Sequence, residues 1–278
     1  MIYNGHTYTA GTIGRDFTFG VMWHTCPARE LNVTKHDDVI LSVNNAYRDM
    51  MPRTINGLGL SGLDQIPVKT VKNKEKNALR DRKAELLDEL RMNLASNIIT
   101  KVFLANSGVG IFNDTIHKEL CEDFIKDFVA KATLLNTAID SFNTIHKLPK
   151  NKIVATVQIA RITYGKAQKI VNMTMKQLYC FDNAHRYRKT VFQFCHIPLD
   201  SVILDFFKLG NNFVWSNLNA ADYDIAQRSC KQQWKDKTDA ACISGDFTSL
   251  FFAEFIIWDA GSGGNGKKKE NINSIIIK

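Results

Sequence analysis

The sequence predicts a mainly α-helical, single-domain protein with an irregular or short-stranded N-terminal layer. Between Asn73 and Phe142, apolar residues recur with the 3.6-residue period of amphipathic helices, and charged residues lie between them. Further helical stretches follow Val154, and the chain of 278 residues is long enough to bury one sizeable core. We expect residues 1–260 to form one helical domain.

The N-terminal layer is predicted to cover residues 1–67. Residues 1–30 are rich in Thr, Gly and aromatic residues, which is typical of short strands or irregular structure. Residues 52–67 contain several glycines between two prolines, which indicates a loop. The regular helical part of the chain should therefore begin after Pro67.

Two long amphipathic helices are predicted next. The first carries leucines near helical spacing: Leu79, Leu86, Leu90 and Leu94. Gly108 and Gly110 end this stretch. The second carries apolar residues on one face: Leu120, Phe124, Phe128 and Ala132.

Shorter helices are predicted in the C-terminal half. Residues 154–163 are predicted to form a helix that ends at Tyr164 and Gly165, where another helix begins at once. A short helix should follow Asp200 and end at Gly210. We expect two more helices, over 220–237 and 246–258, and a flexible basic tail over 261–278.

The charge of the chain favours a polyanionic partner. There are 36 basic and 28 acidic residues, a net charge of +8, with basic clusters at 69–83 and 185–189. No apolar run could span a membrane, and no signal peptide is recognisable at the N-terminus. Six scattered cysteines without a C-x-x-C pair predict reduced thiols. We therefore expect a cytoplasmic monomer that binds double-stranded DNA.

Two short motifs are candidates for function. Gly165 would let the backbone approach a ligand closely, and the free N–H groups of the helix that follows would suit a phosphate, with Lys166 and Lys169 adding charge. The alternative is an ordinary helix corner with solvated lysines. Asp200 follows Pro198 at an N-cap position, where a purely structural cap would contribute about 1 kcal/mol.

The order of these motifs, "YGKAQK" and then "IPLD", resembles the helix-hairpin-helix DNA glycosylase superfamily. The similarity covers residues 150–210, and "KIVATVQIARITYGKA" is nearest to the archaeal 8-oxoguanine branch. It implies a glycosylase-like fold with a hairpin that binds the DNA backbone through four residues: Tyr164, Gly165, Lys166 and Lys169. It further implies that Asp200 is the catalytic carboxylate, and Lys169 is a second catalytic candidate.

The sequence departs from the family pattern at two positions. Thr163 stands where the hairpin turn usually has its first glycine. Ala167 stands where bifunctional members carry a nucleophilic lysine, so we expect a monofunctional enzyme that hydrolyses the N-glycosidic bond. Some bacterial relatives of this broad type act in antiviral defence, so the resemblance is compatible with modified phage DNA as substrate in addition to oxidised or alkylated bases.

Base excision also needs a pocket for the extruded base. A carboxylate can stabilise the positive charge that develops on the sugar, and aromatic faces can hold the base after base flipping. Phe194, His196 and Trp215 are the candidates for this base pocket, although aromatic residues at helix ends are often core residues. No cofactor or metal is expected, because His24 and Cys26 lack the partners of a zinc site.

Two other functions stay open. A helical toxin-like ribonuclease would use an Arg and a His a few residues apart, and Arg29 and His36 have nearly that spacing. A non-catalytic DNA-binding module would use the hairpin alone. Base release that depends on Asp200 would separate the enzyme from this module.

Overall fold

Helices dominate the part of the chain that the computed structural model describes, which is 2–3, 6–7, 30–33, 36–50, 60–105, 110–150, 153–157, 159, 162–181, 183–242 and 244–262. The predicted mainly α class is confirmed. The α-helices are α1 (His36–Met50), α2 (Asn73–Ile98), α3 (Asp114–Ile145), α4 (Tyr164–Tyr179), α5 (Ser201–Phe206), α6 (Ala220–Ala240) and α7 (Leu250–Ser262).

Short elements complete this architecture. Strands β1 (Ile2–Tyr3) and β2 (His6–Thr7) pair antiparallel, with Ile2 opposite Thr7. The end of α2 continues as a π-helical segment, Ile99–Leu104. Single 3₁₀ turns lie between the helices: Leu63–Gln65, Ala184–Tyr187, Phe192–Phe194, Trp215–Asn217 and Gly245–Thr248.

Helix α1 corrects the prediction of an irregular layer over residues 1–67. Its buried face carries Val39, Val43 and Tyr47, which are spaced by one helical turn each, and it packs mainly against α4. The poor helix formers Asn32 and Val33 lie before its first residue, so they do not destabilise the helix. The glycine-rich flanks of this region obscured a short helical period.

The two long helices agree with their apolar pattern. The four leucines of α2 are buried, and so are the apolar residues predicted for one face of α3. The two helices pack against each other, and α3 also contacts α4. Asn113 begins α3 as its N-cap, because its side chain accepts a hydrogen bond from the Ile116 N–H.

The segment before α4 corrects the predicted hairpin. Residues 153–157 are not helical, so the helix predicted over 154–163 is wrong in its first part. Its β-branched residues disfavour a helix, and two side-chain amides of α3 satisfy its backbone instead. Asn143 exchanges two hydrogen bonds with the backbone of Val154, and Asn136 does the same with Val157.

The C-terminal helix and the cysteines bear on two further predictions. Helix α7 runs to Ser262, so residues 261 and 262 are helical and not part of a tail as predicted, and residues 263–278 lie outside the described part. The five described cysteines are free, and all but Cys242 are buried, as expected of reduced thiols. Among the described helices, none has the length and apolar character needed to cross a bilayer.

Candidate functional site

The first turn of α4 packs against the chain's own backbone. Gly165 lies inside the helix, not in a turn between two helices, and its N–H donates to the Leu218 carbonyl at 2.9 Å. A Cβ added at Gly165 would lie 1.9 Å from the Trp215 carbonyl oxygen. The close approach that Gly165 permits is therefore to the turn at Trp215–Asn217, which corrects the predicted phosphate contact at this glycine.

Thr163 reinforces this contact as the N-cap of α4. Its hydroxyl donates to the Ser216 carbonyl at 2.6 Å and accepts from the Lys166 N–H at 3.2 Å. Tyr164 is buried, so its ring is part of the core and not an exposed DNA contact as predicted. Of the four predicted backbone-binding residues, Lys166 and Lys169 are the partly exposed ones.

Asp200 is the N-cap of α5, as its position after Pro198 predicted. Its Oδ1 accepts a hydrogen bond from the Ile203 N–H at 3.0 Å. Its Oδ2 lies 3.5 Å from Lys169 Nζ, and the two side chains are 10% and 16% exposed. The structure thus brings together the two residues that the sequence marked as catalytic candidates.

Trp215 completes this site. The Lys169 Nζ lies 4.5 Å from the centroid of the Trp215 ring, within the range of a cation–π contact. The ring is held there because its 3₁₀ turn packs on Gly165 and Thr163. Lys169, Asp200 and Trp215 form what we call the dyad site: an ion pair with an aromatic face beside it.

A second ion pair lies on the same helix. Lys176 follows Lys169 by two turns of α4, and its Nζ lies 2.6 Å from Glu254 Oε2. Both side chains are buried, at 2% and 1% exposure. Burial raises the pKa of Glu254, and the Lys176 ammonium opposes this shift. A lone glutamate in the apolar run "SLFFAEFIIW" was the only sequence signal for this pair.

His196 belongs to a buried polar network. Its Nε2–H donates to Asp114 Oδ1 at 2.7 Å, since a carboxylate can only accept, and its Nδ1 then accepts from the Tyr223 hydroxyl at 2.9 Å. Its ring stacks on His117, with centroids 4.1 Å apart. Burial lowers the pKa of both histidines. His196 is therefore a neutral imidazole with protein partners on both nitrogens.

Phe194 and Asp114 line the same surface pocket. Phe194 is 49% exposed, and the pocket has a volume of about 510 Å³ and is also lined by Lys231. The hydrogen bond from His196, helped by the Lys231 ammonium, holds the pKa of Asp114 well below its usual range. The three predicted base-pocket residues are therefore divided: Trp215 belongs to the dyad site, His196 bonds to Asp114, and Phe194 shares a pocket with Asp114.

The alternative sites fall mostly outside the described residues. Arg29 of the ribonuclease pair lies outside the described residues, and His36 begins α1 with its Nε2 2.9 Å from Ser96 Oγ. His24 and Cys26 lie outside them as well. In the described ranges, no group of three or more His, Cys, Asp or Glu side chains could hold a metal ion.

Comparison with known proteins gives no assignment. No protein-family model, curated protein or solved structure matches this chain. The resemblance to helix-hairpin-helix glycosylases therefore stays a prediction from short motifs. The basis for a functional proposal is the dyad site itself.

Proposed function

We propose that the chain is a DNA N-glycosylase that acts at the dyad site and releases a modified base. The observation that carries this proposal is the 3.5 Å approach of Lys169 Nζ to Asp200 Oδ2 beside the Trp215 ring. A carboxylate can stabilise the positive charge that develops on the sugar, a cation can hold that carboxylate, and an aromatic face can hold the base. They come from three separate segments of the chain.

Asp200 would act on the sugar. When the bond from C1′ to the base nitrogen breaks, its electron pair leaves with the base and positive charge develops on the deoxyribose. The Asp200 carboxylate stabilises that charge, and a water molecule adds to C1′, giving its proton to the carboxylate or to the departing base. Because Asp200 is only 10% exposed, its charge is less screened by solvent than a surface charge would be.

Lys169 would hold the carboxylate in place. One oxygen of Asp200 is fixed by the Ile203 N–H and the other by the Lys169 ammonium, so the carboxylate has a defined orientation. Trp215 offers a face on which an extruded base can stack. With Ala167 at the position of the usual lysine nucleophile, we propose hydrolysis and not strand cleavage as the reaction.

The basic surface supports DNA as the partner. The chain carries a net charge of +8, and Lys69, Lys72 and Lys74 are exposed around the start of α2. Exposed lysines bind phosphates without reading the base sequence. Since the N-terminus of α4 is covered by the Trp215–Asn217 turn, Gly165 is not a phosphate contact in this proposal, and the exposed lysines around the start of α2 act together with Lys166.

The test is a base-release assay on defined DNA. Duplexes with one oxidised, alkylated or phage-type modified base are incubated with the protein and then treated with alkali, which cleaves at abasic sites. We expect alkali-dependent cleavage at one class of base. DNA binding without cleavage of any duplex would contradict the enzyme and favour a non-catalytic DNA-binding module.

A further inference from the structure

The segment that carries Asp200 into the site has an extended backbone without a partner strand. Residues 195–200 are non-helical and buried, and in the described part of the chain sheet pairing is confined to β1 and β2. Buried backbone N–H and C=O groups need hydrogen-bond partners. Pro198 has no N–H, so the groups that need partners lie mainly on its neighbours.

Side-chain amides supply these partners. The Ile197 carbonyl accepts from Asn172 Nδ2 at 3.0 Å and from Gln227 Nε2 at 2.6 Å. Gln168 bonds to both backbone groups of Leu199. Its Nε2 donates to the Leu199 carbonyl at 3.2 Å, and its Oε1 accepts from the Leu199 N–H at 3.4 Å. Gln168 thus gives Leu199 the pair of bonds that a neighbouring strand would give.

Gln168 is itself held firmly. Its Nε2 also donates to the Gly165 carbonyl at 2.8 Å, and its Oε1 accepts from Asn172 Nδ2 at 2.9 Å. Its side chain is completely buried. A buried amide with all of these bonds has little freedom to move, so it can fix the position of Leu199 relative to α4.

The register of this contact is what matters for the dyad site. Gln168 directly precedes Lys169, and Leu199 directly precedes Asp200. The Gln168–Leu199 bonds and the Lys169–Asp200 pair therefore join adjacent residues of α4 to adjacent residues at the start of α5. The first link is buried and made of two hydrogen bonds, whereas the second is one contact of 3.5 Å.

We propose that Gln168 is a positioning residue that sets Asp200 at its distance from Lys169. The catalytic part of this inference rests on the proposed glycosylase function. A misplacement of about 1 Å can lower a rate about 100-fold, so the loss of this clamp should reduce catalysis without removing a reacting group.

The test compares two isosteric variants. Gln168→Met keeps length and volume and removes every bond to Leu199. Gln227→Met is the matched control, because it removes buried amide bonds to the Ile197 carbonyl and the Tyr223 hydroxyl but leaves Leu199 untouched. We expect kcat to fall at least ~10-fold in Gln168→Met with KM unchanged, and to stay within about 3-fold of wild type in Gln227→Met.

Amide hydrogen exchange gives a readout that needs no activity. The Leu199 N–H donates to Gln168, and the Ile203 N–H donates to Asp200, so exchange at these two amides reports the clamp and the carboxylate. In Gln168→Met both should exchange at least ~10-fold faster, beyond any change in global stability, and in Gln227→Met the Ile203 rate should follow global stability alone.

The outcomes are distinct. Equal losses of kcat in both variants, or unchanged exchange at Ile203 in Gln168→Met, would overturn the positioning role. If wild-type protein releases no base from any DNA, the proposed function fails, yet exchange at Ile203 still decides whether Gln168 positions Asp200. Should Gln168→Met not fold, Gln168→Asn keeps an amide that is too short to reach Leu199 and serves for the same measurements.

Discussion

Lys169 Nζ and Asp200 Oδ2 lie 3.5 Å apart although the residues are separated by 31 positions in the sequence. Lys169 comes from the first turns of α4, and Asp200 begins α5. Both side chains are mostly buried, so their charges interact more strongly than those of a fully exposed pair. Asp200 thus has two possible roles, in catalysis and in capping α5, and substitutions in this pair can distinguish them.

Asp200→Asn should abolish base excision and leave the fold and DNA binding nearly intact. Asparagine caps a helix about as well as aspartate, so the bond to the Ile203 N–H can be kept. The variant loses only the negative charge, and the loss of a preorganised charge commonly costs ~3–4 kcal/mol, or roughly 100- to 1,000-fold in rate. The base-release assay and a thermal melt measure the two effects.

Asp205→Asn is the matched control for Asp200→Asn. Asp205 is an exposed aspartate on the same helix, so its substitution should leave the rate unchanged. Wild-type excision by the Asp200→Asn variant would mean that Asp200 is a cap and nothing more.

Lys169→Met should lower the excision rate ~10-fold or more at saturating DNA, because the Lys169 ammonium no longer orients Asp200 Oδ2. Lys166→Met is the control, because Lys166 lies one turn before Lys169 on the same face of α4. It should lower only the DNA affinity, and it should reduce the slope of log affinity against log salt concentration by about one.

Borohydride reduction of a wild-type reaction should trap no protein–DNA adduct. A trapped adduct that disappears in Lys169→Met would show that the enzyme is bifunctional instead.

The sequence predicted the elements that have a clear period or cap. The faces of α2 and α3 followed from leucine and phenylalanine spacing, and the cap of α5 followed from the position of Asp200 after Pro198. It missed α1, whose short period lies in a region with many glycines. It also predicted a helix over 154–163, but 154–157 are not helical, and the deciding partners there are asparagines on α3 that no local pattern connects to this segment.

The interior of the candidate site was less predictable for a physical reason. Polar residues such as Gln168, Asn172 and Lys176 look like the solvent-facing side of a helix, yet all three are buried. Each can be buried because a residue from a distant segment supplies its hydrogen-bond or ionic partner. Pairing of this kind depends on tertiary contacts, which a single sequence does not reveal.

Gly165→Ala should destabilise the fold although alanine is the better helix former. The added Cβ would lie 1.9 Å from the Trp215 carbonyl oxygen, which is backbone and cannot move alone. Overpacking of this type costs ~1–3 kcal/mol, more than the gain in helix propensity of about 1 kcal/mol. Urea denaturation should show a net loss of stability, and displacement of Trp215 should lower excision.

Gly245→Ala serves as a comparison for Gly165→Ala. A Cβ there meets no atom within 4 Å, and only the positive φ of 80° opposes it. It should destabilise the protein by about 1–2 kcal/mol and leave excision unchanged. A stable, active Gly165→Ala variant would show that the Trp215–Asn217 turn does not pack on α4 as described.

Lys176→Met should destabilise the protein strongly, because it leaves the Glu254 carboxylate buried without its cation. Breaking one side of a buried ion pair costs ~3–5 kcal/mol. The double variant Lys176→Met/Glu254→Leu should recover most of this loss, since an apolar pair needs no compensation in the core. Urea denaturation of both single variants and the double variant measures the coupling, and additive effects would contradict it.

Stability should fall as the pH is lowered through the ordinary titration range of histidine. His117 is buried with its ring stacked on those of His196 and Tyr223, and burial lowers its pKa well below its usual value. As the pH falls through about 6.5, His117 therefore binds a proton in the unfolded chain but stays neutral in the folded chain. The free energy of unfolding is therefore highest above that pH and falls below it, by up to about 1.4 kcal/mol per pH unit for each such proton.

His117→Phe keeps a stacked ring and removes one titrating group, so the free energy of unfolding, measured in urea between pH 7.5 and 5, should depend less steeply on pH. An unchanged slope would show that His117 does not carry this dependence.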